Sequence, residues 1–145
     1  MNDREAVARQ LGHNPRPFRV AARCPFGLPS VIENEPSRDM PTRFWITCPH
    51  LDRAIARVES TGGVRKAQLE LGEAAVQEVH EQHRARYGIR VAGTREGGYV
   101  KCLHAFTALQ LSGAIPNPVA QWTLDRLETP PYPGNDCCTQ SHTED

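Results

Sequence analysis

Thr42-Arg43-Phe44-Trp45-Ile46-Thr47-Cys48-Pro49 is the stretch on which the fold turns. Phe44, Trp45, Ile46 and Thr47 are strand formers. The run stops at Cys48-Pro49, because proline cannot donate to a sheet ladder but suits the first turn of a helix. Directly downstream, Leu51, Ala54, Ile55 and Val58 stand at i, i+3, i+4 and i+7, which is one buried stripe of a helix. The hydrophobic period therefore changes from strand to helix within a few residues, and Cys48 stands at the change.

Upstream lie two further extended segments, Phe18–Arg23 and Ser30–Glu33. Cys24-Pro25-Phe26-Gly27-Leu28-Pro29 joins them, and its Gly and Pro residues impose a tight reversal. A longer polar loop with Pro36 and Pro41 leads to the third, Arg43–Thr47. A small antiparallel sheet is the simplest arrangement. Before it, residues 3–11 fit a short helix stopped by Gly12, followed by the connector His13-Asn14-Pro15-Arg16-Pro17.

Downstream the pattern stays helical. Gly62-Gly63 ends the helix after Pro49, residues 64–71 suit a short helical turn, and residues 73–87 suit a helix with Val76, Val79 and Tyr87 on one side. Gly88–Gly98 reads as a loop, with room for a short strand at Ile89–Val91. Helix is expected again from near Val100 to Ser112, capped by Gly113. Asn117 and Pro118 open a last helix that buries Val119, Trp122 and Leu127. The expected fold is α+β: about three antiparallel strands covered by four or five helices, in one domain over residues 1–128. Residues 129–145 are polar, hold three prolines and read as a disordered tail.

The chain has 145 residues, enough for one domain. Its 17 basic and 17 acidic residues cancel, which argues against a general nucleic-acid binder. Residues 16–66 nevertheless hold nine Arg/Lys against five Asp/Glu, and 15 of the 17 basic residues are Arg, whose planar fork grips oxyanions. No apolar run approaches the ~20 residues of a membrane span, and the charged N-terminus does not resemble a signal peptide. A cytoplasmic location is expected. There, five cysteines serve as thiols or metal ligands sooner than as disulfides.

Three of those cysteines occupy positions that suit a metal. Cys24 ends one expected strand in a Pro/Gly turn, Cys48 ends another before a helix, and Cys102 lies near the start of a later helix. A helix N-terminus favours thiolate over thiol. The gaps are wide, 24 residues and then 54, unlike the close pairs of zinc fingers, so only folding can unite them. The competing reading is three small buried apolar residues. His104 is the natural fourth ligand. Side chains two apart on a helix diverge by ~200°, so Cys102 and His104 can act together only if the helix starts between them or the segment is extended.

The segments Arg23–Pro29, Thr42–Pro49 and Val100-Lys101-Cys102-Leu103-His104-Ala105, in that order, resemble the bacterial family named domain of unknown function 501. Asn117-Pro118-Val119 resembles its closing motif, and the likeness spans about residues 18–127. The resemblance implies no activity. Its motifs do centre on Cys24, Cys48, Cys102 and His104, which strengthens the expectation of a shared metal site, whereas Cys137 and Cys138 fall outside it.

Other signals are weaker. His80-Glu81-Gln82-His83 has i, i+3 spacing rather than the i, i+4 of a metalloprotease helix, and reads as a solvated or partly buried helix face. Gly93–Gly98 matches no phosphate loop, and no serine has an elbow context. A hydrolase pairing Cys102 with His104 ranks low, since sequence neighbours rarely supply both nucleophile and base. Arg23 and Lys101 adjoin proposed ligands and Arg43 opens the strand ending at Cys48, so the three are candidates for an anion pocket holding phosphate or carboxylate. Three functional classes follow. The first is a closed zinc site of three Cys and one His in a scaffold that binds a protein partner. The second is an enzyme with a three-Cys iron–sulfur (4Fe–4S) cluster or an open zinc beside a small anionic ligand. The third is a metal-free interaction domain.

Overall fold

A computed structural model describes residues 2–129 and 131 of the chain. The expected tail therefore lies almost wholly outside the described residues, as do Cys137 and Cys138. The first element is helix α1, Asp3–Leu11, whose first turn is capped by Asn2 and whose end is Gly12 in the left-handed region. Strands β1 (Arg19–Arg23), β2 (Pro29–Glu33) and β3 (Phe44–Ile46) form an antiparallel sheet in the order β1-β2-β3. In the central strand Pro29, Ser30, Val31 and Ile32 are all buried, whereas β1 is exposed at both ends. Phe44 and Ile46 of β3 point into the core and Trp45 between them is half-buried, the alternation that one covered sheet face requires.

Helix α2, Pro49–Ser60, follows β3 with Cys48 as its N-cap. Helices α3 (Gly63–Leu71) and α4 (Glu73–Tyr87) come next. The expected turn at 64–71 is thus a full helix, and among the described residues the helices number six, where four or five were expected. Gly62 and Gly72, both at positive φ, set its limits: each redirects the chain without interrupting the helix between them. The strand considered at Ile89–Val91 is instead an approach to a 3₁₀ turn, Val91–Gly93, where Ala92 and Gly93 take positive φ and prevent extension. Helix α5 (Leu103–Leu111) starts three residues later than its apolar pattern suggests, because Cys102 is extended. Helix α6, Pro118–Leu124, opens as expected: the Asn117 side chain accepts from the Ala120 amide.

The core runs from Cys24, Val31 and Phe44 through Leu51, Ile55 and Val76 to Phe106, Val119 and Trp122. Phe106, on α5, is fully buried and meets the ring of His80 edge-on. Helix α5 packs on β3, α2 and α6, so it is the element around which the others assemble. Among the described residues no helix is long and apolar enough to cross a membrane.

Candidate metal centre

The start of α5 decides the geometry. Cys102 is its N-cap, with φ −159° and ψ 129°, and His104 is the second residue of the helix. The helix thus begins between them, the condition under which both side chains can face one site. The Leu103 amide, one of the N–H groups that a helix start leaves unpaired, donates to Glu59 Oε2 at 2.8 Å. Helix α2 therefore reaches across to cap α5, and the same carboxylate arrives beside the cysteine and the histidine.

His104 is surrounded by acceptors. Its Nε2 lies 3.0 Å from Asp52 Oδ1 and 3.1 Å from the Asp52 carbonyl oxygen, and its Nδ1 lies 3.2 Å from Glu59 Oε1. The Cys102 side chain also hydrogen-bonds to the ring. Burial lowers the pKa of the imidazole, but the bonds to Asp52 and Cys102 and the charge of Glu59 outweigh it and raise the value to about 11. Ligand atoms of Glu59, Cys102 and His104 all lie within 4.8 Å of one another, the one such group of His, Cys, Asp and Glu among the described residues.

The expected ligands are therefore grouped differently. Cys102 and His104 meet, and Glu59 joins them. Cys24 and Cys48 do not enter that group. Cys24 follows β1 and Cys48 follows β3, with β2 between, so their backbones are held about two strand spacings, ~10 Å, apart. Both are buried among core side chains, with Cys48 fully enclosed. That matches the competing reading of cysteine as a small apolar residue.

The three candidate anion-binding cations are also dispersed. Arg23 makes a fork with Asp3 at 2.7 and 3.1 Å and bonds to the Gly27 carbonyl, tying α1 to the β1–β2 turn. Arg43 pairs with Glu33 at 2.9 Å and lies over the Tyr87 ring. Lys101 alone of the three lines the cavity in front of Cys102 and His104. That cavity, about 410 Å³, is bounded by β3, the loop before it and the start of α5.

His80 and His83 are not a second site. Both are buried, His80 fully, which is deeper than a solvated or partly buried face. His80 Nε2 donates to the Tyr99 carbonyl at 2.8 Å, and His83 Nδ1 to the Ile89 carbonyl at 2.6 Å. They fasten the loop that delivers Lys101 and Cys102. Gln68 assists, donating to the Gly98 carbonyl at 2.7 Å and accepting from the Val100 amide at 2.6 Å.

Residues 20–90 and 70–125 match the family described as "Protein of unknown function (DUF501)". No curated protein and no solved structure gives a match.

Proposed function

Since the chain belongs to the DUF501 family, which has no stated function, we propose from its own geometry that it carries a mononuclear zinc centre on Cys102, His104 and Glu59. One observation carries this reading: His104 Nδ1 and Glu59 Oε1 face each other at 3.2 Å while Nε2 is already committed to Asp52. The raised pKa of about 11 puts a proton between these two atoms in the metal-free protein, and a zinc ion can take that proton's place. Zinc–ligand bonds of ~2.0–2.3 Å place tetrahedral ligand atoms ~3.3–3.6 Å apart; His104 Nδ1 and Glu59 Oε1 stand at 3.2 Å, and the ligand atoms of all three residues lie within 4.8 Å of one another. Asp52 then acts as the carboxylate that orients a metal-bound imidazole through its other nitrogen.

Thiolate, imidazole and carboxylate together suit zinc. An iron–sulfur cluster is held by several cysteine thiolates, and only one sulfur belongs to this group. Three protein ligands leave a fourth position, and Cys102 and His104 both line the cavity. The centre is thus of the open kind, which binds a small molecule or activates water, rather than the closed kind that only braces a fold. Cobalt(II) substitution tests this directly. The expected spectrum is that of a four-coordinate ion with a single thiolate, unchanged in Cys24→Ser and without its sulfur charge-transfer band in Cys102→Ser. A three-thiolate spectrum would instead restore Cys24 and Cys48 to the ligand set.

A further inference from the structure

The walls in front of the centre restrict what it takes. The cavity of about 410 Å³ falls at the small end of the range for small-molecule pockets. Much of its lining is apolar: Pro41, Phe44, Trp45, Ile46, Ala92 and Ala105. A fully polar ligand would lose its hydration there with little return. Lys101 is the one lysine or arginine on the wall. Its Nζ touches only the Ala92 carbonyl, at 3.4 Å, and no carboxylate pairs with it among the described residues. A cation that pairs with no carboxylate among the described residues therefore stands on the same cavity as Cys102, His104 and Asp52.

Charge chooses the head group. Cys102 and Glu59 together neutralise a zinc ion, and Asp52 adds a further negative charge beside His104. A dianion such as a phosphate monoester would meet that carboxylate with only Lys101 to offset it. A carboxylate brings one charge and two oxygens, enough for the metal and the lysine together. We propose that the site takes a small monocarboxylate with an apolar or aromatic body, its oxygens toward the zinc and Lys101 and its body along β3. This rests on the zinc reading, whose open position it uses.

The test is calorimetric titration of the purified full chain with 3-phenylpropanoate, 3-phenylpropan-1-ol, phenyl phosphate and acetate, with metal content measured on the same samples. We expect 3-phenylpropanoate to bind at least about tenfold tighter than the other three, as one charge-assisted contact provides. Lys101→Met should weaken it by about tenfold or more with zinc unchanged. If zinc is present but phenyl phosphate or the alcohol binds as tightly, or Lys101→Met has no effect, the monocarboxylate assignment falls and the zinc reading stands. If zinc is absent but the carboxylate still binds through Lys101, the ligand assignment is supported and the zinc reading falls. Absence of both overturns both.

Discussion

The two ring nitrogens of His104 have different partners, Asp52 and Glu59, and on the proposed zinc reading that difference suits the residue as a ligand. Asp52 takes Nε2, and Nδ1 is left facing Glu59. An outer carboxylate of this kind fixes the tautomer and raises ligand basicity. Asp52→Asn should therefore keep the fold and weaken zinc about 10–100-fold, read by competition against a chromophoric chelator. An unchanged affinity would remove Asp52 from the centre. Cys102 and His104 were legible in the sequence because both sit in one short motif at a helix start. Glu59 was not, since it meets them only through the packing of α2 on α5. A signal existed: Asp52 and Glu59 are seven apart on α2, two turns of helix, and so share a face. Cys24 and Cys48 stand outside the group of Glu59, Cys102 and His104 and within the buried core, and the sequence could not separate the two roles because a strand end beside a Pro/Gly turn suits a ligand and a buried apolar residue equally well.

Elements α3 and α4 position the Cys102–His104 segment through the loop that leads to it. The loop between α4 and α5 is fastened by Gln68, His80 and His83, and it ends at Lys101-Cys102. Gln68→Ala removes two of those bonds and leaves the Val100 amide without its acceptor. The expected loss is about 1–3 kcal/mol in urea unfolding, with weaker zinc binding as the loop loosens. The strands, α1, α2, α4 and α6 were readable from period and punctuation: alternation at Phe44–Ile46, the stripe from Leu51 to Val58, the Asn117-Pro118 cap. The start of α5 was not, because Val100 and Leu103 are both apolar and buried, and nothing local shows that the helix begins only after Cys102. The depth of His80 and His83 was hidden too, since their partners are backbone carbonyls of a distant loop.

Stability of the whole molecule depends on pH through those two histidines. Burial lowers the pKa of both His80 and His83 below the ordinary 6.5. Below pH 6.5 the unfolded chain therefore binds more protons than the folded one, and stability is complete above that value and is lost as pH falls through the depressed pKa values. His104 does not confuse this window when the measurement is made on zinc-free protein, where its pKa is raised, so that its contribution is complete below 6.5 and declines only as pH rises toward about 11. Urea midpoints should fall between pH 6.5 and about 5, before most carboxylates titrate, and His83→Gln should flatten the slope. The core makes a separate demand. Cys48 is fully buried among apolar neighbours, so Cys48→Ser should cost about 1–3 kcal/mol while leaving zinc in place. The central claim is that the metal belongs to Cys102, His104 and Glu59, and metal analysis of anaerobically purified protein tests it most directly. A single zinc ion per chain in the unmodified protein and in Cys48→Ser, absent from Cys102→Ser, is the predicted result; metal-free unmodified protein, or zinc that survives in Cys102→Ser and disappears in Cys48→Ser, would contradict it.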